Sequence, residues 1–202
     1  VFDIKANGIE IILEPDKADV WHQDHLPDMI AAVGKRLDSS GYHPEIIAPS
    51  VMNLKNIPKF IASIAENEEA LSYLDVISYH RYSGNDDTLA QQEIVNIAEQ
   101  YNKKTAMLEY DKNGDVSELH YDLKYNSVVA WTKYALMYKF DELFTYVYVD
   151  ARESGNPKYD IAKQTKYLRQ YFKFIRPGAV RIDAESDLKE IDPVAFINPT
   201  GR

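Results

Sequence analysis

Two glutamates, Glu14 and Glu109, each directly follow a short apolar run, GIEIIL in the first case and TAML in the second. Such runs predict buried strands. A carboxylate at the end of a buried strand is disfavoured in β-structure and is costly unless it has a partner or a chemical task. Carboxylates serve as general acids, general bases and nucleophiles, and the alternative for each glutamate is a structural ion pair.

Other polar residues also stand at predicted strand ends. Apolar runs at residues 45–48 (EIIA), 74–79 (LDVISY) and 143–149 (LFTYVYV) predict three further buried strands. In β/α barrels, chemistry is built at the C-terminal ends of the strands. Loop starts are usually polar, so each residue taken alone is also consistent with a solvated strand end. The full set of strand-end residues is Glu14, Ser50, His80, Glu109, Asp150 and Arg152.

Segments with helical spacing of apolar residues alternate with these strands. They cover residues 26–37, 57–71 and 89–101, and longer helices are predicted over 119–138 and 161–175. Strand starts lie about 30 to 40 residues apart, as in parallel β/α units. The pattern βαβαβαβαβα therefore predicts an α/β fold with a parallel sheet.

The five strands fit either an open doubly wound sheet or part of a closed barrel, which takes roughly 250 residues for eight units. Strands three apart face each other across a barrel mouth, so Glu14 and Glu109 would share one substrate only if the barrel closes. Retaining glycosidases hold their two carboxyl groups about 5 to 5.5 Å apart. No glycine-rich phosphate loop follows any strand, so an unrelated open α/β enzyme ranks last.

The chain changes character after Pro177. The runs AVRID and VAFI are strand-like, an acidic stretch at residues 184–190 separates them, and no further helix is predicted. A turn signal at residues 198–201 is expected to lead into a partner strand. The expected domains are a partial barrel over residues 1–176 and, over residues 177–202, the start of an appended β-sandwich or a linker to it.

Composition argues against several partners and cofactors. A net charge of −9 and a pI near 5.0 argue against nucleic-acid binding, and no window approaches the ~20 consecutive apolar residues of a membrane span. The absence of cysteine removes disulfides and thiolate metal sites. Clusters of potential ligands at residues 19–25 and 111–115 lack zinc or calcium spacing, so we expect no metal and no other cofactor.

Three segments resemble clan A, the superfamily of retaining β/α-barrel glycosidases. EIILEPDKADVW resembles the fourth barrel strand, VISYHRY the sixth and AMLEYD the seventh. YFKFIRPGAVRID is similar to the passage that leaves the barrel in glycoside hydrolase family 30 and its neighbours, and DPVAFINPTGR resembles the start of the β-sandwich appended there. The resemblance implies strands 4 to 8 of a (β/α)8 TIM barrel, nearest to family 30-like enzymes.

The same resemblance implies roles for four residues. Glu109 would be the nucleophile and Glu14 the acid/base of a double displacement on a β-linked poly- or oligosaccharide. His80 and Tyr82 would lie between them and orient the nucleophile or contact sugar hydroxyls. The alternative for His80 is a rim histidine whose hydrogen bonds are satisfied structurally.

Two departures from the clan pattern bear on substrate binding. Leu13 stands where the clan has an asparagine, and the eighth strand reads TYVYVDARE where the clan has a tryptophan platform. Tyr148 is expected to replace part of that platform. Trp21 is expected to stack on a sugar, or else to pack on the following helix. The departures keep a second hypothesis open, a non-catalytic carbohydrate-binding or structural barrel fragment.

The resemblance also implies a carbohydrate substrate and a secreted or periplasmic location, although no signal peptide is recognisable in this chain. A barrel without its first strands would expose two sheet edges and an apolar interior. We therefore expect the N-terminal half of the barrel to come from a missing segment or from a complementary chain.

Overall fold

The structure is a computed structural model, and it describes residues 5–17, 21–84, 87–110, 116–139, 145–150, 152 and 155–200. The chain forms two compact units. The first unit consists of Val1–Tyr110 and Val128–Thr132, and the second of Asp111–Ser127 and Lys133–Arg202.

The first unit is a parallel sheet covered by helices. All neighbouring strands are parallel, and their order in the sheet is their order in the chain. This arrangement confirms the predicted α/β class. The strands are β1 (Gly8–Glu10), β2 (Glu45–Asn53), β3 (Leu74–Ser83), β4 (Lys104–Glu109) and β5 (Val128–Trp131). The helices are α1 (Leu26–Ser39), α2 (Ile57–Ala65), α3 (Glu68–Tyr73) and α4 (Thr88–Gln100).

Helical periodicity places the apolar residues of α2 on one buried face. Ile57, Phe60, Ile61 and Ile64 recur at intervals of three and four residues, and each is at most 1% exposed. Burying a side chain of this size contributes about 1.5 to 3 kcal/mol, which explains why a nine-residue helix is stable in this position. Packing of α2 thereby holds in place the strands that carry the polar residues.

The second unit contains the remaining elements. Strands β6 and β7 are parallel, β7 and β8 are antiparallel, and β9 and β10 form a separate antiparallel pair. Two helices complete the unit. The elements are α5 (Val116–Lys124), β6 (Ala135–Lys139), β7 (Thr145–Asp150), β8 (Lys158–Ile161), α6 (Lys163–Phe172), β9 (Val180–Ile182) and β10 (Ala195–Ile197).

The helix predicted over residues 119–138 is wrong beyond Lys124, where α5 ends. Ser127 adopts a left-handed conformation (φ 52°), which a helix cannot continue through. Strand β5 follows at once, and Trp131, which the sequence placed within the helix, is buried on this strand. The fifth parallel strand is therefore β5 and not the TYVYV segment, which forms β7 in a different sheet.

The strand-like runs after Pro177 form β9 and β10, which are each other's partners in a two-stranded sheet. The domain boundary at residue 177 and the appended β-sandwich stay predictions. Among the described residues, no helix is long and apolar enough to cross a membrane.

Candidate active site

The loop after β1 holds Glu14 in a buried position. Its backbone is left-handed (φ 43°), and its N–H donates to the carbonyl of Ser50 at 3.1 Å, at the level where β2 is paired with β3. The side chain is almost fully buried. The ammonium of Lys17 donates to Oε2 at 2.8 Å and balances the carboxylate. The loop therefore aims Glu14 back at the sheet.

Strand β3 aligns its polar residues on one face. Because side chains alternate along a strand, Ser78, His80 and Tyr82 point the same way. The hydroxyl of Ser78 lies 2.6 Å from that of Ser50 on the neighbouring strand. His80 is 1% exposed, and its Nδ1 lies 3.0 Å from Oε1 of Glu14. The imidazole thus contacts the proposed acid/base directly.

Glu109 ends β4 and is paired in register with His80 of β3. The phenol of Tyr82 donates to Oε1 of Glu109 at 2.6 Å. The rings of Tyr82 and His80 meet edge to face with centroids 6.0 Å apart. A hydrogen bond from a phenol stabilises the ionised carboxylate, the form that a nucleophile needs.

Glu14, His80 and Glu109 meet in one cluster. A carboxylate oxygen of Glu14, a ring nitrogen of His80 and a carboxylate oxygen of Glu109 all lie within 4.8 Å of one another. The nearest oxygens of the two carboxylates therefore lie within reach of one substrate bond, as in glycosidases that use a pair of carboxylates. The arrangement can therefore place a nucleophile and a proton donor on the same bond.

The charge around His80 changes its titration. Burial alone would lower its pKa, but the carboxylates of Glu10 and Glu14, with the more distant charge of Glu109, outweigh burial and raise the pKa above its ordinary value. The protonated imidazole is thus stabilised in a buried position. This combination of burial and specific charge partners is typical of functional sites.

Trp21 and Tyr148 are the two other predicted sugar contacts. Trp21 is 44% exposed and packs edge to face on His25 at the start of α1, with ring centroids 6.1 Å apart. Stacking of Trp21 on a sugar stays a prediction. Tyr148 lies on β7 of the second unit, and its role as a platform stays a prediction. Leu13, in place of the asparagine, is 61% exposed.

Two further strand-end residues form a surface ion pair. The guanidinium of Arg152 donates through Nε to Oδ1 of Asp150 at 2.8 Å and lowers the pKa of that carboxyl to about 2. Ser50, by contrast, is fully buried against Ser78.

Sequence reasoning missed Glu10 and Lys17 as neighbours of the site. Oε1 of Glu10 lies 3.7 Å from Nε2 of His80. The alternation of side chains along a strand was the available signal, since residues 10, 12 and 14 would lie on the same face if β1 continued. Lys17 stands three residues after Glu14 in the turn that follows β1.

Two carboxylates and an imidazole at this spacing are also a donor set that divalent cations use. The oxygens of Glu14 already accept from His80 and Lys17, and one oxygen of Glu109 accepts from Tyr82. We therefore interpret the cluster as a hydrogen-bonded network. The cluster at residues 111–115 and part of that at 19–25 lie outside the described residues, and the expectation of no metal stays a prediction.

No family model and no curated protein matches the chain. Solved structures do match its fold. SrfJ from Salmonella typhimurium superposes with a TM-score of 0.79 at 14% identity, over 98% of this chain and 49% of that one. The catalytic domain of GH30 xylanase C from Talaromyces cellulolyticus gives 0.74 at 15% identity, over 96% and 47%.

The fold is like that of the C-terminal half of a family 30 barrel. A GH30 endoxylanase from Clostridium papyrosolvens C71 matches similarly, with a TM-score of 0.66 and 20% identity over 96% of this chain and 48% of that one. The chain thus spans about half the length of the structures it matches. The predicted resemblance to a clan A barrel nearest to family 30 is confirmed at the level of the fold.

Proposed function

We propose that this chain carries the two catalytic carboxylates of a retaining glycoside hydrolase. The observation that supports this proposal best is the approach of Glu14 and Glu109 to within 4.8 Å. That spacing suits double displacement, because a nucleophile must reach the anomeric carbon while the acid reaches the departing oxygen.

In the first step, an oxygen of Glu109 attacks the anomeric carbon while the glycosidic C–O bond breaks. The departing oxygen takes the proton of Glu14, and a covalent glycosyl ester forms on Glu109. In the second step, Glu14 removes a proton from water, whose oxygen attacks the anomeric carbon and releases Glu109. Two inversions leave the product with the configuration of the substrate.

The neighbours of the carboxylates have roles in this scheme. Tyr82 orients Glu109 by donating a 2.6 Å hydrogen bond to its carboxylate. His80 lies 3.0 Å from Glu14 and exchanges a proton with it. Contact of His80 and Tyr82 with sugar hydroxyls stays a prediction.

The substrate we propose is a β-linked poly- or oligosaccharide. Several of the similar structures are xylanases, so xylan and β-xylosides are the first substrates to test. A polysaccharide does not cross membranes, which favours a secreted or periplasmic location for the protein. Because the chain spans about half of the matching structures, we propose that the remaining barrel strands come from the same polypeptide or a complementary chain.

Covalent trapping tests the proposal directly. The native protein that carries this sequence is incubated with a 2-deoxy-2-fluoro β-xyloside or β-glucoside bearing a dinitrophenolate leaving group. We expect an ester on the peptide that contains Glu109, found by mass spectrometry, and no ester in Glu109→Gln. An active protein labelled elsewhere, or one whose turnover survives Glu109→Gln, would exclude Glu109 as the nucleophile.

Leu13 favours a second candidate, a carbohydrate-binding barrel without turnover. Its exposed aliphatic side chain cannot donate the hydrogen bond that the clan asparagine gives to the sugar 2-hydroxyl. Calorimetric titration with xylo-oligosaccharides separates the two functions. Binding that is unaffected by Glu109→Gln, in a protein that hydrolyses none of the glycosides, would favour this second candidate.

A further inference from the structure

Glu10 is a third carboxylate beside His80. It ends β1, and its Oε1 lies 3.7 Å from Nε2 of the imidazole, while Glu14 lies 3.0 Å from Nδ1 on the opposite edge. The side chain of Glu10 is 31% exposed and that of His80 is 1% exposed. One buried imidazole is thus held between two carboxylates.

The groups that face His80 come from three strands and one loop. Glu10 approaches from β1, Glu14 from the loop after it, and Glu109 from the end of β4. Tyr82 on β3 contacts the imidazole edge to face and donates to Glu109. The ammonium of Lys17 pairs with Glu14 on the side away from His80, through Oε2. Negative charge therefore predominates around the ring.

We propose that Glu10 is a positioning residue that acts through His80. It helps the Glu14–His80 pair to retain one proton, which the departing sugar oxygen takes up in the first step. This inference rests on the proposed glycosidase function. Glu10 does not reach the substrate bond in this scheme. It orients the imidazole by attracting Nε2–H, and its charge opposes loss of the last proton from the pair.

The charge of Glu10 has a predictable effect on the pH profile. The Glu14–His80 pair must retain one proton for the first step, so the alkaline limb of kcat/KM marks the loss of that proton. Removing a nearby negative charge makes the proton easier to lose. The alkaline limb of Glu10→Gln should therefore move to lower pH, by about one unit because Glu10 is partly solvated.

The test compares pH profiles of kcat/KM for the wild type, Glu10→Gln, Glu10→Asp and Glu93→Gln, using a β-glycoside that the wild type hydrolyses. Glu10→Gln preserves shape and removes only charge. Glu10→Asp restores the charge and should return the limb toward wild type. Glu93→Gln makes the same charge change on an exposed site of α4 and should leave the profile unchanged. If Glu10→Gln fails to fold, Glu10→Ser replaces it.

A second measurement does not depend on activity. The titration of His80 is followed by NMR in histidine-labelled protein, with the resonance assigned from a His80→Gln variant. We expect the His80 midpoint to fall by about one unit in Glu10→Gln. An unshifted midpoint, or an active Glu10→Gln that loses rate uniformly at every pH, would overturn the inference. A wild type without turnover contradicts the proposed function, and the NMR result then still decides the link between Glu10 and His80.

Discussion

Each unit joins a histidine to a carboxylate, but the two pairs differ in burial and in charge balance. In the first unit, His80 is buried and lies between Glu14 and Glu10. In the second unit, Nε2 of His120 lies 3.1 Å from Asp192, which also accepts hydrogen bonds from Lys124 and Tyr125. Half of the Asp192 side chain is exposed.

The two histidine clusters differ in how far nearby lysines balance the charge of their carboxylates. Lys124 lowers the pKa of Asp192, which in turn raises the pKa of Lys124, so the two charges satisfy each other at the surface. Around His80 the carboxylates outnumber the ammonium of Lys17, and the raised pKa of the imidazole reflects that excess. A balanced surface pair ties two segments together, whereas an unbalanced buried cluster is poised to exchange protons.

The largest effect is expected at Glu14. Glu14→Ala should lower kcat about 10²- to 10⁴-fold on a glycoside with a poor leaving group, because the departing oxygen is no longer protonated. Glycosylation by a dinitrophenyl glycoside should suffer far less, and azide should restore turnover by replacing the water. Steady-state and burst kinetics measure both, with Glu93→Ala as the exposed control. An equal loss on both substrates would indicate a structural role.

A smaller effect is expected at Tyr82. Tyr82→Phe removes one hydrogen bond to a charged group, Glu109, and should lower kcat/KM about 10- to 100-fold. Tyr73→Phe is a matched control, since the phenol of Tyr73 donates to the exposed carboxylate of Asp38. Its kcat/KM should equal that of the wild type. Equal losses in the two variants would remove the distinction between a hydrogen bond at the site and one at the surface.

The smallest effect is expected at Asp192. Asp192→Asn should leave kcat/KM unchanged and lower the melting temperature only slightly at low salt, because exposed ion pairs are screened. Melting curves at low and high salt, together with kcat/KM, measure this outcome. A large loss of activity would mean that the His120 cluster takes part in the chemistry and would break the comparison between the two units.

Local periodicity was sufficient to predict most of the first unit. The apolar runs that predicted β2, β3 and β4 lie within those strands, and the spacing of Ile57, Phe60 and Ile64 predicted a helix. The error over residues 119–138 has a local cause, because apolar residues there fit a helix and a strand about equally well. The left-handed backbone of Ser127 prevents the helix from continuing, and a strand follows. The spacing of residues in the sequence did not reveal that conformation.

The sequence by itself determined the α/β class, the apolar runs that Glu14, His80 and Glu109 follow, and the acidic character, because these depend on residue type and local spacing. Only the tertiary structure decided that Glu14 meets His80 across 66 positions, that Tyr82 donates to Glu109 across 27, and that Trp21 packs on His25. It also brought Glu10 to the imidazole. Strand order and register fix such contacts, and both are set by the packing of distant segments.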